Sequence, residues 1–172
     1  NAYRLTQGWN KEQKPMSEAE KQTIEWFGSQ LDKTIAEINE QFEKFRISDA
    51  LHLIYKLIWD DFCAWYLEAV KPNYGEAISQ EVYDKTLYFF GELMRLLHPF
   101  MPFLTEELWQ NMAERTHEEA LVIAQQKTAA AFDSKVIEAF AFAQELISGV
   151  RNYRQSKGIS PREAVEIYTN AT

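Results

Sequence analysis

The chain has 172 residues and a net charge of −8, with 46% hydrophobic and 14% aromatic residues. That length and composition fit one domain with at most a small annex, and leave little material for long disordered stretches. The acidic balance argues against a generic nucleic-acid binder, so any such contact has to come from a local basic stripe on a negative body.

No run of about 18 uncharged apolar residues occurs, so no transmembrane helix is expected. No basic-then-apolar leader with a small-residue cleavage site is present, and the chain opens on Asn1, so a fragment or a processed chain is expected. A single cysteine, Cys63, cannot pair internally and fits a reducing cytosol.

Ser17-Glu-Ala-Glu20 reads as a capping box that opens a first long helix. Its stripe is Ile24, Phe27, Leu31, Ile35, Ile38, Phe42 and Phe45, at three- and four-residue steps. A second helix starts at Ser48 or Asp49, carries Leu51, Ile54, Tyr55, Ile58, Phe62, Trp65, Tyr66 and Ala69, and stops before Pro72. A third begins near Ser79, carries Val82, Leu87, Phe90, Leu93, Met94 and Leu97, and stops before Pro99. A fourth is capped near Thr105 and returns Leu104, Leu108 and Trp109 to the core.

Residues 116–131 have weak periodicity and read as a connection with a short extended piece at Leu121–Ala124. A fifth helix opens at Asp133 or Ser134, carries Val136, Ile137, Phe140, Ala143, Ile147 and Val150, and is ended by Gly158 in a left-handed conformation. The tail 164–169 alternates and is β-branched, so it reads as a strand. The expected fold is all-α, an antiparallel bundle of about five helices with a short β segment at the C-terminus. Residues 1–158 form the bundle, and 159–172 begin a truncated small α/β unit.

Chemistry-bearing residues are sparse. His52, His98 and His117 are isolated, with no partner at metal-ligand spacing, and read as structural or surface groups. Cys63 lies on an aromatic stripe with no basic neighbour and reads as a small core residue. Asp60, Asp61 and Glu68 share a helix, but solvated charges explain them as well as acid–base chemistry does. No phosphate loop, nucleophile elbow or Ser-His-Asp set occurs, so no catalytic group, metal site or cofactor site is expected.

Basic residues gather at the two ends. Arg151, Arg154, Lys157 and Arg162 lie in a stretch free of acids, with Tyr153 beside them. That pitch can follow a phosphate backbone, and it fits the cationic last turn of a helix equally well. Arg4, Trp9, Lys11 and Lys14 form a second small group.

Two segments carry a family resemblance. Trp59-Asp-Asp-Phe-Cys-Ala-Trp-Tyr-Leu-Glu-Ala-Val-Lys71 and Leu97-His-Pro-Phe-Met-Pro-Phe-Leu-Thr-Glu-Glu-Leu-Trp109 resemble the helical anticodon-binding domain of valine-type class I aminoacyl-tRNA synthetases. The first is the more valine-like; the second is shared with the isoleucine and leucine types. Asn1-Ala-Tyr-Arg4 resembles the family's N-A-x-R-F segment, with Leu5 in place of Phe, and Val150–Arg154 with Ile159-Ser-Pro161 resembles its later pattern. Physically, Trp59, Phe62, Trp65 and Tyr66 are expected to bury large area on adjoining faces of one helix.

The resemblance implies a cytoplasmic, monomeric module that holds the anticodon stem-loop of a valine tRNA, with the parent's catalytic domain as its partner in cis. Neither an H-I-G-H nor a K-M-S-K-S signature is present, so ATP, used by the parent, and valine and zinc sites are expected to be absent here. Arg4 matches the family segment whose basic residue lies near the anticodon. Trp9 is the candidate aromatic for stacking, Lys11 extends the group, and Arg151, Arg154 and Lys157 are expected to steady stem-loop phosphates. The same module of an isoleucine- or leucine-type enzyme, or a helical protein-interaction bundle, is the alternative; a metal-dependent helical enzyme is a distant third.

Overall fold

The computed structural model describes residues 1–160 and 162–168, apart from the side chain of His117. The capping box forms as expected: the Glu20 amide donates to Ser17 Oγ at 3.2 Å, and the Ser17 amide donates to Glu20 Oε2 at 2.7 Å. It opens α2, Glu18–Glu43, the second helix after a short α1, Ala2–Gln7. Phe27, Leu31, Ile35 and Ile38 of α2 are buried, as its stripe requires.

Phe45 departs from that stripe. The helix stops at Glu43, Phe45 takes φ 58°, and its ring is 89% exposed. The Arg46 amide reaches back to the Gln41 carbonyl at 2.8 Å, the long bond of a left-handed helix end.

The next helix is α3, Ile47–Lys56, running into a π-helix, Leu57–Tyr66, and then α4, Leu67–Val70. Ten residues of i→i+5 geometry are unusual, since such bonding is mostly confined to single-turn bulges. Here the longer step brings Leu57 and Phe62, five apart, and then Tyr66 onto one buried line.

The same winding turns Trp59 outward. It is 61% exposed and stacked on Tyr55 with 6.2 Å between ring centroids, so the burial expected of Trp59 does not occur. Ile47, Leu51, Tyr55 and Trp59, four residues apart, form an apolar stripe on the outer side of this helix.

Ser79 ends β2, Ile78–Ser79, and caps α5, Gln80–Leu97. A two-residue strand β1, Lys11–Glu12, pairs with β2 in parallel, Lys11 opposite Ile78 and Glu12 opposite Ser79. Helix α6, Pro102–Met112, starts with Pro102 in its first turn, where a missing amide costs nothing. Thr105 is therefore inside α6 rather than at its cap, and its hydroxyl donates to the Met101 carbonyl at 2.8 Å. With that proton committed, His98 Nδ1–H donates to Thr105 Oγ1 at 2.7 Å, so His98 fastens α5 to α6. Trp109 is buried and Leu104 is exposed, so only part of the α6 stripe reaches the core.

The piece at 121–124 is a tight 3₁₀ turn, Leu121–Ile123, not an extended one. Its first amide is taken by Glu106 Oε2 at 2.8 Å, which holds Leu121 inward.

The compact units are Asn1–Ser134 and Lys135–Thr172. In the second unit, α7, Ser134–Lys157, has no buried residue; its apolar side chains reach intermediate burial at most. Gly158 ends it at φ 65°, with Ile159 N–H bonding the Arg154 carbonyl at 2.9 Å. Residues 164–168 carry no strand, because no neighbouring strand supplies ladder bonds among the described residues. Pro161 and residues 169–172, and with them the end of the expected strand, lie outside the described residues. The bundle is all-α apart from the β1–β2 pair.

Asp61, on the π-helix, is pushed up to about 6 by burial and by neighbouring Asp60, against the pull of Lys56; Gln30 donates to it at 3.3 Å. A carboxyl raised above its unfolded value is penalised while ionised, so stability rises as pH falls through about 6 toward the unfolded value. Asp61→Asn is expected to raise stability at pH 7 by about 1–2 kcal/mol, after allowing for solvent screening, and to remove that pH dependence in denaturant titrations. Phe45→Gly is expected to add about 0.5–1 kcal/mol in the same assay, because only glycine takes φ 58° without strain.

Candidate nucleic-acid interface

The first residues are fastened to the bundle from several sides. Tyr3 Oη donates to the Asn111 carbonyl at the end of α6, and its ring lies 5.9 Å from that of Phe90 on α5. Thr6 is buried and its hydroxyl donates to the Tyr3 carbonyl at 2.8 Å. Arg4, on the same short helix, is exposed.

Trp9 is 9% exposed, so its ring faces are packed against protein. A base cannot stack on it in this conformation, and the role expected for Trp9 is corrected to that of an anchor for α1.

Beyond Trp9 the chain runs beside the loop that links α4 to α5. The Ile78 amide donates to the Asn10 carbonyl at 2.8 Å, and Ser79 Oγ donates to the Lys14 carbonyl at 2.8 Å. Lys14 Nζ donates to the Ala77 carbonyl at 2.5 Å, and Lys11 Nζ sits 4.5 Å from the centre of the Tyr83 ring. Lys11 and Lys14 are thereby brought to one edge with residues 71–79, which the sequence reading did not connect to the N-terminus.

That loop is itself ordered by short-range bonds. Asn73 Nδ2 donates to Glu76 Oε2 at 3.1 Å, the Glu76 amide donates to the Asn73 carbonyl at 3.0 Å, and Gly75 takes φ 84°. Lys71 pairs with Glu68 at 2.6 Å, a solvated pair of small energetic weight. Between these bonds stands Tyr74, fully exposed. Sequence reasoning passed over it, although Pro72-Asn73-Tyr74-Gly75 is a turn signal and an aromatic at its tip has nothing to pack against.

The second basic group lies on the other compact unit. Arg151, Tyr153 and Lys157 are exposed on α7. Arg154 is used internally: its Nη1 donates to the Ser160 carbonyl at 2.8 Å and its Nη2 to the Glu163 carbonyl at 2.7 Å. It therefore binds the carbonyls just past the helix end.

Of the other polar candidates, His52 and Asp60 are exposed, and burial pushes the half-buried Cys63 thiol up, away from a reactive thiolate. No cluster of three or more His, Cys, Asp or Glu that could hold a metal occurs among the described residues. No helix among them is long and apolar enough to cross a membrane.

Against this geometry stands the comparison with known sequences. Residues 25–169 match the family described as the anticodon-binding domain of tRNA ligase. The chain belongs to that family. This anticodon-binding domain is 46% identical over 168 residues to the valine--tRNA ligase of Parabacteroides distasonis, covering 97% of the chain and 19% of the relative. It is 46% identical over 167 residues to the valine--tRNA ligase of Christiangramia forsetii, again 19% of that protein. At greater distance it is 35% identical over 141 residues to the valine--tRNA ligase of Rhizobium meliloti. The chain thus spans about a fifth of the length of the first relatives, 19% in each case.

Arg154→Ala is expected to loosen the helix end without unfolding the first unit. Hydrogen exchange should speed up at Gly158 and Ile159 by about tenfold, as two charge-assisted bonds are lost.

Proposed function

We propose that this domain holds the anticodon stem-loop of a valine tRNA and presents that tRNA to the ATP-dependent aminoacylation centre of its parent enzyme, a monomeric cytoplasmic valine--tRNA ligase. The observation that carries this reading is the N-terminal edge. Arg4, Lys11 and Lys14 stand on one segment, bonded along the 71–79 loop with its exposed Tyr74, on a chain whose net charge is −8. A local basic edge on an acidic body attracts phosphate where the loop is to sit and repels it elsewhere. Unpaired loop bases are read by stacking and by edge hydrogen bonds, with phosphate contacts supplying position. The relatives' names support valine, rather than isoleucine or leucine, as the cognate amino acid.

On this reading Arg151 and Lys157 of the second unit are further phosphate contacts, and Arg154 contributes through the helix end it holds. A protein-interaction role has one observation in its favour, the exposed Ile47, Leu51, Tyr55 and Trp59 stripe. That stripe is separate from the basic edge, so substitution tells the two readings apart.

The test is a titration with a valine-tRNA anticodon stem-loop at two salt concentrations. Arg4→Ala should weaken binding about tenfold and lower the salt dependence by about one phosphate contact. Glu118→Ala and Trp59→Ala should leave the affinity as it is. Equal binding by Arg4→Ala and the unaltered chain would refute the placement of the site.

A further inference from the structure

Trp9 is buried, which leaves the proposed RNA edge without the aromatic face that unpaired bases need. Tyr74 supplies one. Its ring is fully exposed, at 107%, and no ring or hydrogen-bond partner is found for it among the described residues. We propose that Tyr74 is the platform on which one unpaired base of the RNA loop stacks; this rests on the stem-loop reading above.

Three features of the loop fit that role. The turn that carries Tyr74 is held by the Asn73–Glu76 bonds, and the chain just after it is tied to Asn10 and Lys14 through Ala77 and Ile78, so part of the ordering cost of binding is already met. Tyrosine itself freezes only two side-chain torsions while presenting a broad apolar face. Next to it, Gly75 at φ 84° has no atom other than those of its chain neighbours within 4 Å of where a Cβ would stand, so the backbone beside Tyr74 is open. Lys71 precedes the turn by three residues and Lys14 Nζ reaches the Ala77 carbonyl three residues after Tyr74, so cations are carried on both sides of Tyr74 along the chain.

Other exposed rings are less suited. Tyr55 and Trp59 already cover one another, with Asp60 alongside, and Tyr88 has Lys85 over its face at 5.8 Å. Tyr74 combines an exposed ring with a turn held by its own hydrogen bonds.

The experiment uses stem-loop RNAs carrying the fluorescent base 2-aminopurine at each anticodon-loop position in turn, titrated with the full chain. Stacking on Tyr74 should quench the probe at one position. Tyr74→Ala should abolish that quench and raise Kd by about 5- to 150-fold, the range for loss of one stacked base. Tyr74→Phe should keep both the quench and the affinity, because stacking uses the ring and not the hydroxyl. The proposal is overturned if Tyr74→Ala quenches and binds like the unaltered chain, or if Tyr74→Phe fails as badly as Tyr74→Ala. RNA binding that depends on Arg4 but not on Tyr74 sinks this inference and leaves the proposed function standing. No binding by the unaltered chain at low salt sinks both.

Discussion

Phe27 is the point at which three helices meet. Fully buried on α2, it lies 5.3 Å from Phe62 and 5.0 Å from Tyr66 on the π-helix, and 4.9 Å from Phe89 on α5, in tilted and edge-on arrangements. Such pairs contribute about 0.5–1.5 kcal/mol each beyond the area they bury. The rings are wide, and three helices have to present them to one residue at once. The winding of 57–66 meets that demand by placing Phe62 and Tyr66 together against Phe27. Tyr66 is held further by its hydroxyl, which donates to Thr86 Oγ1 at 3.0 Å while Thr86 donates to the Val82 carbonyl. Burial raises that phenol far above its ordinary range, so it stays neutral at any pH the protein meets.

Charge is used in two ways on this molecule. Asp32 accepts from the Ala130 amide at 3.0 Å and pairs with Lys127 at 2.6 Å, and Glu92 pairs with Arg95, whose guanidinium lies 4.7 Å from the Trp109 ring. Arg115 lies on that ring as well, at 3.8 Å. These groups fasten the connection after α6 to the bundle and are spent in doing so. Arg4, Lys11 and Lys14 at the N-terminal segment are exposed instead, and on the proposed function they serve the RNA phosphates. Arg154 illustrates how spacing alone misleads: its pitch suits a phosphate track, yet backbone carbonyls claim both of its terminal nitrogens.

Much of the scaffold was legible because local chemistry decides it. The Ser17–Glu20 box, the Gly158 helix end and the stop before Pro99 depend on a few adjacent residues and agree with the sequence reading. Wheel arithmetic at 3.6 residues per turn placed Phe62 and Tyr66 inward, as they are, but left out buried Leu57 and turned the exposed Leu51 and Tyr55 inward; the burial expected of Trp59 as a large aromatic also fails. The tail at 164–168 has the composition of a strand but no ladder partner, and composition does not supply one. At the candidate site, Arg4 and Lys11 are basic and exposed as read, Trp9 is buried where an exposed ring was expected, and exposed Tyr74 was passed over. Whether an aromatic is covered depends on what the chain brings over it from far along the sequence. No pattern within the first fifteen residues reports it.

The π-helix carries a consequence for the family's tolerance of length change. A stretch bonded at i→i+5 holds one more residue per turn than its neighbours need, so its residue count acts as a phase adjuster between α3 and everything downstream. Removing one residue there would let the stretch rewind to ordinary α geometry and swing α4 round its own axis by about a quarter turn or more. The chain would then leave Val70 in another direction and enter the loop before β2 from a different side. Between Leu57 and Tyr66 the tally of residues is thus itself what aims the end of α4.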